Sequence, residues 1–137
     1  MKNCKINLND IKKRFELCGY KFKDDTFENA IKNFVKINTD ENGNFVPVLG
    51  EFDRDPERFD TKLVAVSHKI MSVNLDDMTA DIKILDTPNG KIVQQLMNMG
   101  VDCHPTIIAS CESVKDGPDN TVEICQLFTI DYKGDVK

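Results

Sequence analysis

Apolar residues recur along the chain at two different periods, and the change of period divides it into helices and strands. Phe27, Ala30, Ile31, Phe34 and Val35 fall at the i, i+3, i+4, i+7 and i+8 positions of one helical face. Asp25 followed by Glu28 has the form of a capping box, and this helix is expected to end near Ile37. A shorter helix is expected over Asn9–Cys18, with Ile11, Phe15 and Cys18 inward and Gly19 as its stop. A third opens at Thr87-Pro88-Asn89-Gly90 and runs from about Lys91 to Met99. Its inner stripe is Ile92, Val93, Leu96 and Met97, and Gly100 closes it.

Elsewhere the period is two. Asn42-Gly43 marks a turn, after which Phe45–Phe52 is extended, with Pro47 at an edge or a strand start. Asp53–Asp60 is charged, holds Pro56 and reads as a loop. Lys62–Val73 is a strand with Val64, Val66, His68 and Ile70 on one face and Ala65, Ser67, Lys69 and Met71 on the other. Asn74–Met78 turns it into a return strand, Thr79–Asp86, that buries Ile82 and Ile84. Pro105 precedes a strand over Thr106–Val114. A turn at Lys115–Asn120, holding Gly117-Pro118, leads to a last strand over Thr121–Tyr132, with Val122, Ile124, Phe128 and Ile130 on one side. The sum is an α+β chain: a mainly antiparallel β-barrel or sheet with packed helices. Residues 1–137 read as a single domain, helical over 1–40 and β-rich over 44–133.

Composition narrows the function classes. A chain of 137 residues can bury a sizeable core without staples. Its net charge of −5 argues against a nucleic-acid-binding surface. No apolar run approaches the ~20 residues of a membrane span. Met-Lys-Asn-Cys-Lys is followed by no apolar stretch, so no secretory signal is expected. The five cysteines are odd in number and scattered, which suits free thiols in an intracellular chain. Cys103-His104 with Cys111 is the one conceivable zinc corner, but no Cys-x-x-Cys pair accompanies it. Neither a metal nor a cofactor is expected.

Three stretches carry a resemblance: Pro47-Val48-Leu49-Gly50-Glu51-Phe52-Asp53, Ser67-His68-Lys69-Ile70 and Leu85-Asp86-Thr87-Pro88-Asn89-Gly90-Lys91. In this order they resemble the capsid-maturation (prohead) proteases of tailed bacteriophages, serine peptidases with an assemblin-like fold that digest the scaffold inside an immature capsid. The match covers roughly residues 47–131. In that family a Gly-Glu-Leu-(Asn/Asp)-His-Pro stretch supplies the general base, and a Pro-x-Gly-(Ile/Val)-Ser-x-Arg strand supplies the nucleophile. By the resemblance, the histidine falls on Arg54, the serine on Ala109 and the arginine on Cys111, while Asp131 keeps its place in the last strand.

The resemblance therefore implies a catalytic site without its working groups. A serine hydroxyl is a poor nucleophile until a base takes its proton. Arginine stays protonated and cannot be that base, and alanine carries no nucleophile. The fallback pair is His68 with Ser110. A one-residue shift along a strand, however, turns a side chain to the opposite face, and His68 shares its face with Val64, Val66 and Ile70. Cys111 is a further substitute nucleophile, with His68 or His104 as its base. Two readings stand. The first is a non-catalytic phage head protein derived from a prohead protease, serving as an auxiliary, decoration or core component of the capsid. The second is an active serine endopeptidase that cleaves scaffold or capsid proteins. Both imply capsid or scaffold partners, no nucleic acid or membrane, and a place in the virion or the host cytoplasm. A homo-oligomer remains open.

Overall fold

Alternation of inward apolar and outward polar residues builds two sheets. The computed structural model describes residues 2–117 and 119–134. Strands β1 (Lys2–Asn7), β3 (Val48–Glu51), β4 (Val66–Asn74) and β5 (Thr79–Ile84) form an antiparallel sheet in the order β1-β5-β4-β3. The hairpin expected from the sequence is β4 with β5: Ile70 faces Ile82 and His68 faces Ile84, all four buried. Strands β2 (Tyr20–Phe22), β6 (Cys103–Asp116) and β7 (Asp119–Gly134) form the second sheet in the order β2-β7-β6. Strand β2 runs parallel to β7, and β6 antiparallel to it. The class is α+β and mostly antiparallel, as the periods indicate. Among the described residues the sheets stay open and do not close into a barrel. They meet where β3 runs out against β7. There the Asp53 amide donates to the Tyr132 carbonyl at 3.0 Å, and Thr129 Oγ1 donates to the Leu49 carbonyl at 2.8 Å.

Three helices cover this frame: α1 (Leu8–Leu17), α2 (Thr26–Ile37) and α3 (Pro88–Asn98). Helix α2 lays Phe27, Ala30, Ile31 and Phe34 against β7, all of them buried. Each large side chain sealed in this way contributes about 1.5–3 kcal/mol. Helix α3 packs on β4. Its N-cap Thr87 accepts from the Gly90 amide at 3.0 Å and donates to the Val66 carbonyl, tying the helix start to the strand beneath.

Several expectations shift for local reasons. The N-terminal 40 residues are not only helical, because β1 and β2 lie among them. Strand β1 offers only Cys4 and Ile6 on its inner side, too short an alternation to read alone, and it is held by pairing with β5. The Asp25 capping box does not form: Asp25 has ψ 19°, outside the extended region that aims a cap side chain at the helix, and Glu28 pairs instead with Lys12 at 2.8 Å. Cys18 is the C-cap of α1 and is exposed rather than inward. Leu63–Ala65 forms a 3₁₀ turn before β4, which leaves Val64 exposed. Helix α3 begins at Pro88, suited to the first turn by its missing N–H, and Ile92 is exposed while Val93 is buried. Pro105 lies inside β6 rather than before it. Strand β6 is an edge strand, where a missing donor is tolerated. In β7 the register shifts opposite Ile108/Ala109, so Phe128 turns outward and Leu127 takes the inner place. Pro118 and the side chain of Ile124 lie outside what is described.

Gly90 shows how closely α3 approaches the sheet. A Cβ there would collide with the carbonyl oxygens of Leu85 and Ser67. In an open helix, alanine for glycine stabilises by about 1 kcal/mol. Here the sign should reverse: Gly90→Ala is expected to lower unfolding stability in urea by about 1–3 kcal/mol through overpacking. An unchanged or raised midpoint would contradict this packing.

Candidate functional site

The loop after β3 and the end of β7 hold an unusual amount of buried charge. Arg54 uses all five of its donors. Nε donates to Asp131 Oδ2 at 2.8 Å, and one terminal nitrogen reaches Asp131 Oδ1 at 3.2 Å and Thr61 Oγ1 at 2.9 Å. The other terminal nitrogen donates to the carbonyls of Phe59 at 3.1 Å and Asp60 at 2.8 Å. Asp131 Oδ1 also accepts from the Glu51 amide at 2.9 Å, so one carboxylate joins β7, β3 and the loop. The Arg54 and Asp131 side chains are 1% and 2% exposed, an environment in which an unpaired charge would be severely costly.

Glu51 and Arg58 complete the cluster. Glu51 is buried and takes two contacts from the Arg58 guanidinium, the Lys62 amide at 2.9 Å and the edge of Arg54 at 3.5 Å. Burial alone would raise its pKa. The hydrogen bonds from Arg58 and Lys62 and the charges of both arginines outweigh that and hold it below the usual value. Asp131 moves the other way: burial, helped by the nearby Glu51 charge, pushes its carboxyl up against the Glu51 amide and Arg54. Two carboxylates thus face two guanidiniums, and the group is neutral as a whole.

Above the cluster opens a cavity of about 610 Å³. Arg54, Ala109 and Asp131, which the sequence singled out on separate segments, all line it, with Asp53, Phe59 and Ile107 beside them. Among its described lining residues the hydroxyls are those of Thr106 and Tyr132, and there is no serine, cysteine or histidine. Sequence reading did not find Glu51, Arg58 or Thr61. The signal available was the alternation of signs in Glu51-Phe52-Asp53-Arg54-Asp55-Pro56-Glu57-Arg58, which reads equally well as a solvated loop.

His68 lies beneath, at 0% exposure. Its Nε2 is 2.7 Å from the Ile130 carbonyl, and since a carbonyl can only accept, the proton sits on Nε2. Nδ1 is then the acceptor for the Ser67 hydroxyl at 2.7 Å. This serine–histidine hydrogen bond is sealed, as Ser67 is also 0% exposed, so no substrate carbonyl can reach it. Gly50 leaves the space: a Cβ there would collide with both His68 Nε2 and the Ile130 oxygen. The structure does not join His68 to Ser110, which is exposed on β6 opposite Gln126. Cys111 is exposed on the same strand, and its free thiol lies against that of Cys125 rather than against a histidine. Cys103 and Cys111 stand roughly 27 Å apart along β6 at ~3.4 Å per residue, too far to share an ion. Among the described residues no cluster of three metal-ligating side chains occurs.

These features define an α+β frame with a charged, cavity-bearing junction between two sheets. The same fold is found in a solved structure, that of the bacteriophage T4 capsid assembly protease, gp21. The likeness has a TM-score of 0.68 at 13% identity and covers 84% of this chain and 71% of that one. No protein-family model matches the chain, and no curated protein does. No helix among the described residues is long and apolar enough to cross a membrane.

Burial holds the His68 ring neutral, lowering its pKa from 6.5 to about 4 despite the Ile130 hydrogen bond. The unfolded chain takes up this proton near pH 6.5 and the folded chain only near 4. Stability is therefore full above the upper value and falls with pH across that window, by about 3 kcal/mol at ~1.4 kcal/mol per pKa unit. An NMR titration should show the His68 ring resonances stationary through the upper part of the window, with a midpoint near 4. A midpoint near 6.5 would contradict the sealed, neutral ring.

Proposed function

We propose that this chain is a bacteriophage head protein that keeps a prohead-protease fold without peptidase chemistry. It would bind capsid or scaffold proteins as an auxiliary, decoration or core component of the shell, within the host cytoplasm and then the virion. The fold shared with a capsid assembly protease supports the setting. The lining of the cavity supports the loss of chemistry and is the observation that carries the reading. Where the sequence resemblance calls for a base there is a guanidinium with every donor committed, and where it calls for a hydroxyl there is a methyl group. A guanidinium that stays protonated takes no proton from any nucleophile. Without either partner of the pair, acyl transfer loses several orders of magnitude in rate.

The competing reading, an active serine endopeptidase, is decided by reactivity. The folded chain is incubated with casein or with a candidate scaffold protein, and separately with a fluorophosphonate probe. No cleavage and no covalent adduct on any serine are expected. An adduct at Ser110, abolished in Ser110→Ala, would overturn the proposal.

A further inference from the structure

Strands β6 and β7 make a long hairpin, and Cys111 lies directly opposite Cys125 in its register. The two sulfurs are 2.7 Å apart, closer than two unbonded sulfurs ordinarily approach, and both cysteines are free. Directly opposed residues of an antiparallel pair have Cα atoms about 4.5–5.5 Å apart, inside the range that a disulfide spans without backbone movement. The pair lies between two register shifts, at Ile108/Ala109 and Glu112/Ser113, just beyond the cavity wall at Ala109. Cys111 is exposed and Cys125 half-buried, so one sulfur meets solvent and the other stands behind it.

We propose that Cys111 and Cys125 are a redox modification site that a small-molecule disulfide closes into an intramolecular crosslink, fixing the register of the hairpin beside the cavity. Cys111 is the entry point. The contact with Cys125 holds its thiol below the ordinary value against burial, while the same contact, then burial, pushes Cys125 up. The Cys111 thiolate attacks one sulfur of glutathione disulfide, forming a mixed disulfide and releasing one glutathione thiolate. That step removes the negative sulfur that had kept the proton on Cys125. Cys125 then gives its proton to the released thiolate and attacks the Cys111 sulfur. The Cys111–Cys125 bond forms and the second glutathione leaves. Two protein thiols are oxidised and one external disulfide is reduced to two thiols. None of this depends on whether the cavity supports peptidase chemistry.

The test uses the whole chain, reduced and then equilibrated over a range of glutathione to glutathione-disulfide ratios, with alkylation and peptide mapping. Cys111 and Cys125 should lose alkylation together and appear in one linked peptide without attached glutathione, the unpaired exposed Cys18 serving as internal comparison. In Cys125→Ser, a glutathione adduct should accumulate on Cys111, and in Cys111→Ser, Cys125 should remain alkylatable. The wild-type result stands even if either variant folds poorly. A lasting glutathione adduct on wild-type Cys111, a link from Cys111 to Cys18 of another copy, or both thiols still alkylatable at the most oxidising ratio would each overturn the proposal.

Discussion

The bond between Arg54 and Asp131 is the constraint around which the rest is arranged. A guanidinium presents five donors in a rigid plane, and here each has an acceptor: a carboxylate on β7, a hydroxyl and two carbonyls from the loop it stands in. The loop between β3 and the 3₁₀ turn has little apolar content of its own. It keeps its path because its carbonyls are tied to a cation that is itself tied to the sheet. Asp131 in turn accepts from the Glu51 amide, so the same ion pair sets how β3 meets β7. Removing either charge would strand the other in a dry interior, a far larger effect than the pair's own net worth.

The junction of the sheets follows from this with two supports. Gly50 leaves room for the His68 ring to reach the Ile130 carbonyl, and Ser67 satisfies the other ring nitrogen. Tyr132 stacks edge-on against His68, with centroids 4.8 Å apart. Every polar atom of the imidazole is thus used in holding strands together. The cavity opens above this junction. Its lining brings the Arg54 and Asp131 charges together with Ala109, Phe59 and Tyr132.

Much of the fold was legible in the chain. The buried stripe of α2 and the inward positions Val66, His68, Ile70, Ile82 and Ile84 of the hairpin hold because burial enforces them, while Val64, expected on the same face, lies exposed in the 3₁₀ turn. What was not legible came from tertiary contacts that leave no local trace. Strand β1 exists through its partner, the outward turn of Phe128 depends on a bulge, and Asp25 fails as a cap through its backbone angles. At the site, Arg54, Ala109 and Asp131 were separated by most of the β-rich half, yet they line one cavity. Motif order had drawn attention to these positions, but no spacing rule could have shown that the arginine would answer the aspartate. Glu51 and Arg58 were hidden for a plainer reason: charge alternation looks alike whether water or protein surrounds it.

The view of Arg54 as a structural pin in place of a proton carrier is tested most directly by a double-mutant cycle with Asp131. Arg54→Met, Asp131→Asn and the double variant would be compared by urea unfolding at neutral pH. Arg54→Met alone should cost about 3–5 kcal/mol because it leaves the carboxylate buried and unpaired. The double variant should lose less than the sum of the two single changes by about 1–3 kcal/mol. Strict additivity, or an Arg54→Met chain within about 0.5 kcal/mol of the parent, would contradict the account.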